Sequence, residues 1–281
     1  MTPSGSTTRR MQLGAQLRAL RELRGLTRAE AGYAIRASES KISRLELGRV
    51  GFKERDVADL LTLYKIIDPA VRLPLMELAA LANAPGWWQP YQELLIAWQA
   101  TYLGLEESAS LVRTYDAQFV PALLQTPDYA AALAAAAHPE ASQEELEARA
   151  ALVAARQRAF FRTGGSRLWT VIDEAVLHRR VGRDGVQRAQ LEHLLAHSSI
   201  TLQILPFGCG AHPAQAGSFT LLRFPDKDLK DIACVSSQTA ATQYDKPDEV
   251  DAYQEAMTHL TVAALTPDAS KTRLTELAAT F

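Results

Sequence analysis

The stretch that most constrains what this chain can fold into runs from Leu26 to Arg49, LTRAEAGYAIRASESKISRLELGR. Thr27 followed three residues later by Glu30 is a capping box, so a short helix begins at Arg28. Ala31, Ala34 and Ile35 fall on one face of it at helical spacing. Ser38 then offers an N-cap to a second short helix whose buried stripe is Ile42 and Leu45. Its other face carries Glu39, Ser40, Lys41, Ser43 and Arg44, and Gly48 stands where a left-handed residue ends a helix. Two short helices joined by a tight turn, the second polar and basic on its outer side, is an arrangement able to lay a helix into a groove of nucleic acid.

The flanking pattern completes a small core around that pair. Leu13, Leu17, Leu20 and Leu23 stripe a helix that ends at Gly25, and Val57, Leu60, Leu61 and Tyr64 mark a fourth helix. Asp68-Pro69 is an N-cap followed by proline at the first helical position, opening a fifth through Val71, Leu75 and Leu78. Five helices over residues 9–82 form a domain of their own. Residues 1–8, small and polar, are expected to be a disordered tail.

Charge supports a nucleic-acid partner for that domain. The chain of 281 residues has a net charge of −2, yet Arg9 to Arg55 holds twelve Lys and Arg against five Glu, a local +7 that leaves −9 elsewhere. A cationic module on an acidic body attracts phosphate locally and limits non-specific adhesion. At 47% hydrophobic and 22% charged the composition is that of a globular protein, without a membrane-length apolar run or a leader, so a cytoplasmic location is expected. Cys209 and Cys234 have neither disulfide-framework nor zinc spacing.

The quoted residues resemble the Cro and lambda-repressor type of helix-turn-helix, the xenobiotic-response-element family, whose pattern runs roughly Leu-Thr-x-x-x-Leu-Ala through Val-Ser-x-x-x-Ile-Ser-x-x-Glu-x-Gly-Arg. The resemblance implies that the helix opened by Ser38 is the recognition helix, with Glu39, Ser40, Lys41, Ser43 and Arg44 facing base edges. It also implies phosphate contacts from Arg28, Ser38 and Arg49, and an ion pair between Arg21 and Glu46 that ties the first helix to the reader. Gly32 and Tyr33 depart from the usual Ala and charged residue, and Arg36 stands where the turn commonly has Gly.

Asn83-Ala84-Pro85-Gly86 breaks the chain, and residues 83–90 read as a linker before a second domain at 91–281. The Trp87, Trp88 and Tyr91 cluster is expected to plug the start of that second core. Leu94 to Arg162 reads as mainly helical, including an Ala-rich helix from Asp128 and a helix from Glu144 to Arg162. The period then shifts to 2 at 168–172, 200–205, 219–224 and 232–235, giving four strands. A helix from Val186 to His197 makes the first pair a candidate parallel crossover, and a terminal helix runs from Pro247 through Leu260. The expected fold is an all-α five-helix DNA-binding domain followed by an α+β domain with a small, mostly antiparallel or mixed sheet.

Several blocks of this region, among them Gly86-Trp87-Trp88, the run from Val120 to Ala130, Gln203 to Phe207 and Phe219 to Pro225, are similar to a domain of unknown function. That domain follows a lambda-repressor-like reader in many actinobacterial regulators. The resemblance implies an antitoxin-like regulator, a repressor, that binds a very small protein encoded nearby. Ala122 stands where Gly is usual, and Cys234-Val235-Ser236-Ser237 where an aromatic and acidic pair is common.

No catalytic or metal constellation competes with that reading, and no cofactor is implied. His193 and His197 share a helix face at i, i+4 spacing, but the HExxH order is absent, which favours a solvated face. Cys209 and His212 share a loop without an orienting group, and Asp173-Glu174 reads as a helix-initiating pair. Three function classes stand: a DNA-binding regulator with a protein partner, a one-component factor whose second domain senses a small molecule, and a DNA-tethered enzyme. The first is favoured. Homodimerisation is expected because one recognition helix reads only a few base pairs.

Overall fold

The computed structural model describes residues 6–162, 165–183, 185–226 and 229–281, and divides them into two units. The first unit extends to Gln89 and takes in Gln99–Ser108 and Pro225–Leu229. It holds α1 (Ser6–Leu23), α2 (Arg28–Ala34), α3 (Glu39–Glu46), α4 (Glu54–Leu63), α5 (Pro69–Ala82) and most of α6 (Ala97–Ser108). Leu13, Leu17, Ile42, Leu45, Val57, Leu60, Leu61 and Tyr64 meet in one core, at about 1.5–3 kcal/mol for each large side chain fully removed from water. Leu23 is exposed instead, one turn beyond that packing. Asp68 caps α5 by accepting from the Ala70 N–H at 2.9 Å, with Pro69 in the first turn.

Residues 6–8 depart from the expected disordered tail. Ser6, Thr7 and Thr8 are helical and buried, while residues 1–5 lie outside the described ones. The reason is α6: at Gly104 a Cβ would lie 2.6 Å from Thr7 Cβ and 2.9 Å from the Trp88 ring, so glycine there lets α1 and Trp88 seat against α6. Trp88 is thus buried within the first unit, not at the start of the second. Within residues 83–90, read as a linker, the Asn83 side chain accepts from the Phe52 N–H at 3.1 Å and donates to the Phe52 carbonyl, while Asn83, Pro85, Gln89 and Pro90 are exposed.

The second unit comprises Pro90–Trp98, Ala109–Phe224 and Lys230–Phe281. Its elements are β1 (Leu111–Asp116), α7 (Pro127–Ala137), α8 (Gln143–Phe161), β2 (Arg167–Asp173), α9 (Glu174–His178), α10 (Val186–Ala196) and β3 (Ile200–Leu205). Then come β4 (Phe219–Arg223), β5 (Ile232–Ser236), β6 (Ala241–Tyr244), α11 (Pro247–Ala263) and α12 (Pro267–Ala278). The six strands make one mixed sheet in the order β3-β2-β1-β4-β5-β6. β1, β2 and β3 are parallel, linked by helical crossovers, and β4, β5 and β6 continue antiparallel. The sequence signals omit β1, β6 and α12.

One sheet face packs Tyr115, Val171, Leu205, Phe219 and Leu221 under Val250, Met257 and Leu260 of α11. On the other face Thr114 donates to Thr170 at 2.9 Å, a cross-strand pair. Between β1 and α7 the segment Val120–Thr126 is clamped through its main chain. Gln125 donates to Val120 O, Gln157 to Ala122 O and Gln125 O, and Gln190 to Leu124 O while accepting from Thr126 N–H.

Candidate nucleic-acid interface

α2 starts where its cap dictates. The Glu30 N–H donates to Thr27 Oγ1 at 3.2 Å and the Thr27 N–H to Glu30 Oε2 at 2.7 Å, the two reciprocal bonds of a capping box. The Thr27 N–H and hydroxyl, both donating to Glu30 Oε2, hold the Glu30 carboxyl below its usual range. The turn after α2 passes through Arg36 at φ 54°, the left-handed region in which glycine is common. At Gly32 a Cβ would come within 2.6 Å of the Ala37 carbonyl, so the glycine admits the chain as it folds back. Ser38 caps α3 by accepting from the Lys41 N–H at 3.2 Å, and Gly48 follows the helix at φ 66°.

α3 turns Ile42, Leu45 and Glu46 inward and leaves Ser38, Glu39, Ser40 and Arg44 exposed, with Ser43 half-buried beside them. Four of the five side chains expected at base edges therefore lie along one outward side of a two-turn helix. Arg44 Nε donates weakly to Ser40 O at 3.4 Å. Lys41 differs: its ammonium donates to Asp56 Oδ2 of α4 at 2.7 Å, across fifteen residues of chain. Asp56 had no signal in the sequence, since nothing local relates the two positions.

Behind the reading face lies a buried ionic anchor. Arg21 Nε and Nη2 donate to the two oxygens of Glu46 at 2.5 and 3.0 Å, with side-chain exposures of 7% and 3%. Arg21 Nη1 also donates to Leu26 O at 2.7 Å, so the guanidinium ties α1 to both helices of the pair. The hydrogen bond to Glu46 raises the Arg21 pKa further, so Arg21 stays cationic at every pH of interest. Arg28, expected at a phosphate, gives its Nε to Glu46 Oε2 at 3.0 Å while remaining partly exposed. One carboxylate thus organises two guanidiniums. Arg49 is exposed just past the C-terminus of α3. Close backbone approach locks the same junction: a Cβ at Gly14 would lie 2.6 Å from Glu46 O, and one at Gly48 2.6 Å from Met11 N.

The other constellations weighed in the sequence have structural partners. His197 packs at a tilt on Phe161 at 5.2 Å and meets His193 edge to face at 5.7 Å, and burial lowers both imidazole pKa values. Cys209 Sγ faces the Gly210 carbonyl, and His212 Nε2 lies 3.4 Å from the Tyr115 hydroxyl. Asp173 caps α9 through Ala175 N–H at 2.9 Å, while Glu174 accepts from Phe207 N–H and pairs with Arg273. Among the described residues no group of three or more His, Cys, Asp or Glu is gathered that could hold a metal ion. No helix among them is long and apolar enough to cross a membrane.

Comparison with known proteins agrees with this division of labour. Residues 12–75 match a helix-turn-helix domain, which covers α1 from Gln12 onward, α2 to α4 and the first half of α5, and supports a DNA-binding regulator. No curated protein and no solved structure matches the chain. The region beyond the reader matches the domain of unknown function (DUF5753) along residues 99–276, more than half of the chain, and the protein therefore belongs to that family.

Proposed function

We propose that this protein is a sequence-specific transcriptional repressor of the Cro and xenobiotic-response type. It binds double-stranded operator DNA as a homodimer and, like an antitoxin, receives a small protein partner encoded nearby on its second unit. In this reading it works by binding and catalyses nothing, and it resides in the cytoplasm, associated with the nucleoid when on DNA. The observation that carries the reading is α3 itself: Glu39, Ser40, Ser43 and Arg44 line its outward side, while Arg21 and Glu46 fix its back. Arg44 has the reach for a guanine edge, and Ser38, Arg28 and Arg49 flank it where phosphates would pass. The acidic balance outside Arg9 to Arg55 supports partner binding away from the reader.

The test is selection of binding sites from random duplex DNA with the full chain. A two-fold symmetric site with half-sites about one helical turn apart is expected. Enrichment of no sequence over the random pool would overturn the reading. Titration of that operator with and without the small neighbouring protein, at one salt concentration, then tests the partner arm, since linkage makes their effects reciprocal.

A further inference from the structure

The two edges of the second unit's sheet are treated oppositely. At β3 the C-terminal part of the outer edge is blocked: Leu265 N–H donates to Ile204 O at 2.8 Å, and Ile204 N–H to Ser270 Oγ at 3.0 Å. Gln203 adds bonds from its side-chain amide to Thr261 O and Leu265 O, so the connection into α12 covers that end of the strand. At β6 nothing comparable exists among the described residues. Ala241 to Tyr244 pair only with Ser236 to Ala233 of β5, so every second residue of β6 turns an N–H and a C=O away from the sheet.

Exposed edges are ordinarily blunted by shortness, charge, proline or a bulge. This one, at four residues, is short but carries no charge, proline or bulge. From Ile232 to Tyr244, thirteen residues covering β5, the turn and β6, the chain carries no charged residue and no proline. The turn is closed by Ser237 N–H to Ala240 O at 2.7 Å, and the β5 to β6 register is unbroken. The hairpin is thus a regular, uncharged template left open on one side.

What lies beside that edge indicates what it takes. β6 leads directly into α11, and Tyr244 and Tyr253 stack at 5.3 Å, which keeps α11 next to the strand. α11 has Asp248, Glu249, Asp251 and Glu255 and neither Lys nor Arg, with Asp248, Asp251 and Glu255 exposed. The neighbouring Lys246 is already 3.6 Å from Glu249. A second copy of the chain pairing antiparallel here would bring two acidic α11 helices to the same side of one continued sheet. A basic segment would meet complementary charge.

We propose that the outer edge of β6 accepts an extended segment of a protein partner as a seventh strand, with basic residues flanking the paired core where they meet the negative charge of Asp248, Glu249 and Asp251 at the start of α11. The main-chain ladder supplies affinity and the flanking charges supply selectivity, as in other strand-addition interfaces. The inference rests on the partner-binding reading and specifies its surface.

The experiment uses the full chain and two synthetic peptides that share an alternating Thr-Val core, one flanked by lysines and one by glutamates. Backbone amide hydrogen exchange is followed residue by residue. Alternate amides of Ala241–Tyr244 are expected to exchange fast in the protein alone and about tenfold or more slowly with the lysine-flanked peptide, with little change for the glutamate-flanked one. The double substitution Thr242→Lys and Gln243→Lys should abolish that protection while leaving operator affinity unchanged. Absence of slowing with either peptide overturns the edge site, and equal slowing with both overturns the charge selectivity. Slow exchange without peptide that deepens with protein concentration makes the occupant a second copy. If the small neighbouring protein still shifts operator occupancy of the double-lysine variant, the edge assignment falls while the partner reading stands; if it fails to shift the wild type, the partner reading falls and the peptide result is read independently.

Discussion

Lys41 of α3 and Asp56 of α4 form an ion pair at 2.7 Å, so α3 uses one of its basic side chains to hold itself against the next helix. Asp56→Asn should release the ammonium toward a phosphate. DNA affinity is expected to rise, and the slope of log affinity against log salt to steepen by about 0.9, the increment for one added phosphate contact. The two slopes, measured on operator and random duplex, check this. An unchanged slope would mean that Lys41 remains turned to the protein.

Arg44 and Arg28 should separate readout from positioning. Arg44→Ala is expected to cost about 1–3 kcal/mol on the operator and to relax preference at one base position. Arg28→Ala should weaken operator and random duplex alike. Competition titrations with single-base operator variants distinguish the two, and equal loss on all sequences for Arg44→Ala would remove its base-reading role.

The anchor behind α3 has a different signature. Glu46→Ala strands Arg21 in a buried site and takes the partner from Arg28, and breaking such a pair costs about 3–5 kcal/mol. Denaturant unfolding of the full chain should show the loss in the transition of the first unit. Stability within about 0.5 kcal/mol of wild type, the range of an ordinary surface change, would show that the pair is not an anchor.

Asp116 gives the second unit a pH dependence. Burial raises its carboxyl pKa to about 6 from 3.8, and Oδ2 has no hydrogen-bond partner. A folded-state value above the unfolded one means the native protein binds the proton more tightly. The contribution is full below the unfolded pKa and is lost as pH rises through the folded one, here between about pH 4 and 6. The loss amounts to as much as about 3 kcal/mol at 1.36 kcal/mol per pKa unit. Asp116→Asn should therefore be more stable than wild type at pH 7, with the advantage shrinking toward pH 4. A stability difference independent of pH would contradict this.

The reading pair was legible because its determinants are local. The Thr27 and Glu30 box, the Ser38 cap, the Gly48 exit and the stripe through Ile42 and Leu45 each act within one helical turn, and each is where the spacing predicted. The Arg21 to Glu46 pair came through family resemblance, and the two side chains do meet, buried between α1 and α3. β1 was hidden because Arg113 and Asp116 interrupt its apolar pattern. Arg113 lies over the Trp169 ring at 4.9 Å, a cover that only the folded sheet provides. β6 is four uncharged residues without a strong β former until Tyr244, and only its pairing to β5 defines it. The packing of α6 with the reader was invisible for the same reason, since Gly104 has meaning only once Thr7 and Trp88 are beside it.

Gly32 shows how propensity and contact can oppose each other. By helix propensity alone alanine there would add about 1 kcal/mol of stability, yet a Cβ would press on the Ala37 carbonyl.

The seal on β3 limits how this protein can assemble. Sheets with two receptive margins can add copy after copy head to tail, which is how open-ended fibres grow. Here Leu265 and Ser270 already occupy the hydrogen-bonding groups of Ile204, so a hairpin arriving from another molecule cannot run an unbroken ladder past that residue. With β6 used as proposed, this block favours a single addition over continued growth through the sheet. A regulator that concentrates on DNA can thus keep one strand margin available for exchange without becoming the seed of a polymer.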